Sequence, residues 1–215
     1  LIHRLHRAGL HSARAERSIW VHGGTADDFA AAAELIRALR RALPASPLLL
    51  TAPDARTRAS LRACYPGYQA FPPPAWLATA RFFAAFDPLL LVWLGFDDAL
   101  PHRALRRARA RGVPIVALEG RDGDGAVSER PLRDVLPLVE RCAATSPEGA
   151  ERLRALGARS VVVTGPLGEE RPDASGRLRS FAWIEPLLAR LPGRPPGDFH
   201  AGRRITKLEG LMMEL

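Results

Sequence analysis

Acidic side chains next to glycines recur at three places in the chain, and each could support acid–base or anion chemistry. The first is Gly23-Gly-Thr-Ala-Asp-Asp28, the second Leu94-Gly-Phe-Asp-Asp98, and the third Glu119-Gly-Arg-Asp-Gly-Asp124. Glycines let backbone N–H groups approach a ligand, and a helix that starts after such a loop favours an anion there. A carboxylate can take the proton of a hydroxyl, and Arg121 can grip a phosphate or carboxylate through two parallel hydrogen bonds. Each feature also has a plainer reading: Asp27 or Asp28 only caps a helix, and the other acidic pairs are solvated loops. The first loop is not G-x-G-x-x-G, so a dinucleotide fingerprint is unsupported. His22 and His102 read as structural rather than catalytic. Cys64 and Cys142 lack metal spacing and read as buried free thiols in a reducing compartment.

The loops matter only if strands present them, because an open parallel sheet binds ligands beyond the C-terminal ends of its strands. Five short apolar runs fit that role: Ser18–His22, Pro47–Thr51, Leu89–Trp93, Pro114–Leu118 and Ser160–Thr164. Being apolar on both faces, they suit a parallel sheet covered by helices on either side, hence an α/β, three-layer domain. Helical periodicity predicts crossovers over Asp28–Leu43, Thr57–Cys64, Pro74–Phe86, Pro101–Arg111 and Pro147–Leu156. Pro101 fits the first helical position, Ser146 an N-cap, and Gly112 and Gly157 the residues just past helix ends. After Thr164 the pattern decays. Residues 165–179 read as a linker, Phe181–Leu191 as a helix, 192–203 as irregular chain, and Ile205–Leu215 as a short terminal helix or frayed tail. The expected organisation is a basic lead-in over 1–17, one domain over 18–168, and a linker with a helical tail over 169–215.

A formal charge of +8 and a pI near 10.9 raise the question of nucleic acid. Lys207 is the only lysine among 31 basic residues, so the basicity is arginine in an Ala-, Gly- and Pro-rich chain. That is the mark of GC-rich codon usage as much as of a phosphate-binding face, and aromatics that could stack on bases are few. No nucleic-acid partner is expected, although a basic nucleotide- or nucleic-acid-binding α/β domain stays open as a weaker alternative. No run of about 18 uncharged apolar residues exists, and Leu1–Arg17 lacks the apolar stretch of a signal peptide. Leu rather than Met at position 1 leaves an upstream segment open.

The ordered set of segments resembles a known family. Trp20-Val-His22, the small-residue loop, Asp28 and the helix through Ile36-Arg37-Ala-Leu39 look like the start of the 3-deoxy-D-manno-octulosonic acid (Kdo) transferases of lipopolysaccharide synthesis. The resemblance continues through Leu89–Trp93, Ala108-Arg-Ala-Arg-Gly-Val-Pro-Ile115 and Arg121. It closes with Ala150-Glu-Arg-Leu-Arg-Ala-Leu-Gly157 and Val161-Val-Val-Thr-Gly165, so that it spans residues 18–168. It implies a Rossmann-like domain, one half of a GT-B glycosyltransferase, that holds a lipid A precursor while a second domain binds the donor CMP-Kdo. It further implies Asp28 as the general base, Thr25, Asp98 and Arg121 as acceptor contacts, no cofactor, and a place on the cytoplasmic face of the inner membrane. The family's Ser-Val-Gly-Glu loop reads Thr25-Ala-Asp-Asp28 here, so the base is shorter by one methylene, ~1.5 Å of reach. The 47 residues after Gly168 are expected to be too few for a second domain of about 100 residues. A separate donor-domain partner is therefore one expectation, and a non-catalytic acceptor- or partner-binding paralogue is the alternative.

Overall fold

The computed structural model describes residues 17–65, 68–75, 78–96, 100–119, 129–166 and 181–191. Seven strands form one fully parallel sheet: β1 (Ile19–His22), β2 (Leu48–Thr51), β3 (Gln69–Phe71), β4 (Leu90–Leu94), β5 (Ile115–Leu118), β6 (Arg141–Ala144) and β7 (Val161–Val163). Their order is β3-β2-β1-β4-β5-β6-β7, with Ile19 opposite both Leu48 and Leu90. The first strand is thus a central one, buried on both faces, which is why Ile-Trp-Val-His shows no polar alternation.

Successive side chains leave a strand on opposite faces, and the core divides accordingly. Ile19, Val21, Leu48, Leu50, Leu90 and Val92 pack on one side, Trp20, Leu49, Leu91, Trp93, Ile115 and Cys142 on the other. The first face receives α1 (Ala26–Ala31), α2 (Ala33–Ala42) and α3 (Ala55–Cys64). The second receives α4 (Thr79–Phe86), α5 (His102–Ala110), α6 (Glu129–Val135), the 3-10 turn Leu136–Leu138 and α7 (Pro147–Ala155). The molecule is therefore an α/β, Rossmann-like three-layer domain. Among the described residues no helix is long and apolar enough to cross a membrane.

All five expected strands are present. β3 and β6 were not expected. Gln69-Ala-Phe is a three-residue edge strand with Gln69 exposed, and Arg-Cys-Ala-Ala has low intrinsic strand preference. Neighbours impose the strand on β6, which pairs with both β5 and β7. The helix expected over Asp28–Leu43 is two helices broken at Ala32, and Pro101 stands one position earlier, as the N-cap residue of α5. The helix expected over Pro74–Phe86 begins only at Thr79, beyond the proline run. Gly112 and Gly157 take positive φ at the helix ends, as expected.

The segment 181–191 is the main surprise. Only Glu185–Leu188 (α8) is α-helical, yet Phe181, Trp183, Ile184, Leu187, Leu188 and Leu191 are all buried in the first-face core. Crossover handedness explains why. Moving from β1 to β3, right-handed connections place helices on the first face; moving from β4 to β7 they place them on the second. Among the described residues, 181–191 is what covers the first face of β5, β6 and β7, with Val116, Leu118, Ala143 and Val162. The backbone carbonyl of Trp183 accepts from the Arg141 side chain, and Arg190 pairs with Glu140, fixing the segment at the start of β6. The region expected to follow the domain thus supplies part of its core. Ile205–Leu215 lies outside the described residues.

Candidate functional site at the switch point of the sheet

The strand order reverses between β1 and β4, because the chain leaves β1 toward β2 and returns from β3 to β1's other side. Sheets of this kind bind ligands in the crevice outside the C-terminal ends of the two strands at such a switch point, between the loops that leave them. Gly23–Asp28 follows β1, and Gly95 and Phe96 follow β4.

Asp28 stands at this switch point, half-buried, with its carboxylate against Gly95. Its Oδ2 accepts from the Thr25 backbone N–H at 2.9 Å and from the Thr25 hydroxyl at 3.0 Å, while the Asp28 N–H donates to Thr25 Oγ1 at 3.2 Å. That reciprocal pattern is a capping box at the start of α1. The other oxygen faces β4: a Cβ built on Gly95 would lie 2.8 Å from Asp28 Oδ1. Gly95 also has φ +72°, a conformation that costs a residue with a Cβ about 1–2 kcal/mol. The next residue, Phe96, adopts φ 52° and is buried against Trp93 with ring centroids 5.3 Å apart. The glycine thus brings β4's loop up to the carboxylate.

This geometry makes a prediction. Gly95→Ala should lower stability by about 1–2 kcal/mol from backbone strain, and by more from the clash with Asp28. A double-mutant cycle with Asp28→Ala, followed by chemical denaturation, should show the clash component relieved. Strictly additive losses would show that the two residues do not touch.

Beneath the crevice, three buried polar side chains bind one another. The Trp20 indole N–H, which can only donate, reaches Thr51 Oγ1 at 2.8 Å, and His22 Nδ1 lies 2.8 Å from the same hydroxyl. All three residues are fully inaccessible. Thr51→Val keeps the shape but leaves the indole without this acceptor, so a loss of roughly 1–3 kcal/mol is expected in the unfolding free energy. Thr51→Ser should restore most of it. A valine variant as stable as the parent would show that the hydroxyl ties nothing together.

A second carboxylate is held at the end of β5. Glu119, 8% exposed, accepts through Oε2 from the Thr145 N–H at 2.9 Å and the Thr145 hydroxyl at 3.0 Å. It lies against Gly149 of α7, where a Cβ would come within 2.4 Å of Oε2. Glu119 was expected in an acidic loop, but its contacts with Thr145 and Gly149 were not foreseen. The available signal was a glycine in the first turn of a helix already capped by Ser146, whose Oγ accepts from the Gly149 N–H at 3.0 Å. Two further carboxylates on this rim serve helix starts. Asp54 caps α3, and hydrogen bonds from the Thr57 side chain and backbone hold its carboxyl below the usual range. Glu148 is lowered chiefly by its own backbone N–H and next by the Ser146 hydroxyl.

The structure therefore brings Thr25 and Asp28 together, within the cap. Asp98 and Arg121 lie outside the described residues. His22 is part of the buried trio, and His102 begins α5. Cys142 is buried as expected, but Cys64, the last residue of α3, is exposed. Burial pushes the Cys142 thiol up to about 12, which makes it inert as a nucleophile at neutral pH. Among the described residues no three His, Cys, Asp or Glu side chains are grouped to hold a metal ion.

Comparison with known proteins bears on these elements. A family model described as 3-deoxy-D-manno-octulosonic-acid transferase (kdotransferase) matches residues 3–168. Among solved structures, UDP-GlcNAc 2-epimerase from Neisseria meningitidis bound to UDP-GlcNAc superposes with a TM-score of 0.51 at 17% identity, over 71% of this chain and 47% of that one. At that identity the likeness concerns the fold alone, and this chain spans about half of the epimerase. The NAD(P)-binding domain of an exopolyphosphatase-related protein from Archaeoglobus fulgidus is 19% identical over 68% of this chain and 88% of that one. Its TM-score of 0.34 is too low to carry an argument. A comparison with curated proteins finds no match.

Proposed function

The chain belongs to the 3-deoxy-D-manno-octulosonic-acid transferase family, and from that membership we propose that it is the acceptor-holding, Rossmann-like half of a GT-B glycosyltransferase of lipopolysaccharide synthesis. The acceptor is a lipid A precursor and the donor is CMP-Kdo, bound by a second domain in the same protein or in a partner. The reaction is an inverting transfer. An acceptor hydroxyl oxygen forms a bond to the anomeric carbon of Kdo as the bond to the CMP phosphate oxygen breaks. CMP leaves as the anion, and the hydroxyl proton passes to Asp28. Thr25, Asp98 and Arg121 contact the acceptor, with Arg121 on an anionic group. The protein works at the cytoplasmic face of the inner membrane, where arginines of the first 17 residues meet anionic headgroups. No cofactor enters this scheme.

The observation that carries the reading is the position of Asp28. Its carboxylate stands in the switch-point crevice with Oδ2 anchored by Thr25, leaving Oδ1 on the side of Gly95. An anchored carboxylate of fixed orientation is what proton abstraction requires. The same anchoring favours a second reading, in which Thr25 and Asp28 only cap α1 and the domain binds the acceptor without chemistry. Presenting the full chain with a tetraacylated lipid A precursor, with and without CMP-Kdo, separates these. Lipid binding with a Kdo-bearing product supports transfer; binding without product supports the second reading; no lipid binding overturns both.

A further inference from the structure

The chain leaves β4 through two consecutive left-handed residues, Gly95 at φ +72° and Phe96 at φ 52°. Glycine adopts this conformation freely, whereas a bulky side chain adopts it only at a cost. Among the described residues one other non-glycine has positive φ, Asp87 at the end of α4, and aspartate tolerates the conformation. At Phe96 the cost is offset by burial. Its ring is 5% exposed and meets Trp93 edge-on, with the two planes at 82°. Leu94 is buried in the core of the first face and Phe96 in that of the second. Gly95 thus crosses the end of the sheet between two anchors, and its N–H adds a third by donating to the Leu118 carbonyl at 2.9 Å. This pinned glycine is the one that lies against Oδ1 of Asp28.

We propose that Phe96 is a positioning residue: its ring, locked against Trp93, holds Gly95 where it fixes the orientation of the Asp28 carboxylate. The catalytic consequence rests on the reading of Asp28 as the general base; the positioning itself does not. Strained backbone beside a reacting group is a recurrent means of setting its geometry in advance. Here Thr25 ties Oδ2 from the side of α1, and Gly95 is the stop on the side of Oδ1. Without the ring, a side chain at position 96 gains by leaving the left-handed region, and the turn relaxes. Gly95 then withdraws and the carboxylate is free to rotate. A misplacement of ~1 Å at a reacting group costs about 10²-fold in rate.

The test uses three variants of the full chain. Phe96→Leu keeps an apolar side chain without the ring contact, Phe96→Gly removes the cost of the left-handed turn together with the ring, and Phe96→Tyr keeps the ring. Unfolding midpoints show which of them are folded. In nuclear magnetic resonance spectra, Asp28→Asn should move the amide resonance of Gly95, because a nearby charge is lost. That response should vanish in the Phe96→Leu and Phe96→Gly backgrounds and persist in Phe96→Tyr. The response of the Thr57 amide to Asp54→Asn, a helix cap of similar chemistry, should be the same in all of them. In Kdo transfer, Phe96→Leu and Phe96→Gly should lower kcat roughly tenfold or more and leave KM for the lipid precursor within about twofold, and Phe96→Tyr should restore kcat. A Gly95 response that persists in folded Phe96→Leu and Phe96→Gly would overturn the proposal. A lost response with undiminished kcat would overturn the catalytic consequence. If the parent makes no Kdo-bearing product, the general-base reading fails, and the resonances alone decide whether Phe96 positions Asp28.

Discussion

A chain shortened after residue 180 is expected to show no cooperative unfolding transition at 25 °C and to bind hydrophobic dyes. The shortening removes Phe181, Trp183, Ile184, Leu187, Leu188 and Leu191, each at most 9% exposed. Burial of such side chains contributes roughly 1.5–3 kcal/mol each, so the six amount to on the order of 10 kcal/mol, an upper figure because denatured chains already bury some surface. A domain of this kind is stable by about 5–15 kcal/mol in total. Losing the segment therefore removes most of the margin, and it exposes Val116, Leu118 and Ala143 on the first face of the sheet. Ile184→Ala, the milder form of the experiment, should cost about 2–5 kcal/mol in chemical denaturation. A shortened chain that melts cooperatively at the parental midpoint would show that 181–191 is an ornament on a domain complete at residue 168.

The largest functional effect is expected at Asp28. Asn in its place keeps an oxygen that can accept from the Thr25 N–H, so α1 stays capped, but it cannot take a proton. Transfer of Kdo from CMP-Kdo to the lipid precursor should fall by about 10²–10⁴-fold while the unfolding free energy stays within about 0.5 kcal/mol of the parent. Asp28→Ala should lose transfer and, in addition, about 0.5–2 kcal/mol of stability as the cap opens. The measurement is product mass in the full chain supplied with CMP-Kdo and, where a separate donor-binding protein is required, with that protein as well. If the asparagine variant transfers Kdo at the parental rate, Asp28 is a cap and nothing more. The split between rate and stability is what tells the two roles apart, since capping alone moves only stability.

Much of this fold is written locally. A central parallel strand must be apolar on both faces, so runs such as Leu-Leu-Leu-Thr51 and Leu-Leu-Leu-Val-Trp93 announce themselves without knowledge of their neighbours. β6 is not local information: Arg-Cys-Ala-Ala becomes a strand because β5 and β7 flank it. The same division holds at the crevice. The run Gly23 to Asp28 shows a loop and a cap from spacing alone, and the capping box between Thr25 and Asp28 is there. What spacing could not show is that Gly95, 67 positions beyond Asp28, is the surface against which the carboxylate rests. Nor could it show that Gly149 makes room for Glu119. Glycine in such places is legible as an oddity, but the partner that explains it is supplied by the fold. The segment 181–191 failed for a related reason: its apolar spacing was visible, whereas the uncovered half-face it fills follows only from the strand order.

That strand order also sets a timetable. Of the described strands, the first to leave the ribosome is a central one, and half of its pairing waits for Leu90, 71 residues later. Its core on the first face is not closed until Leu191 arrives. Contacts of such long separation close large loops before they return any stabilisation, so folding belongs to the slow, millisecond-to-second class rather than to that of helical bundles. During synthesis β1 and β2 must be available for a considerable time with one edge of β1 unpaired. The nascent chain is consequently most exposed to misassociation before β4 has emerged, and the burden falls on the chaperones that meet it at the tunnel exit.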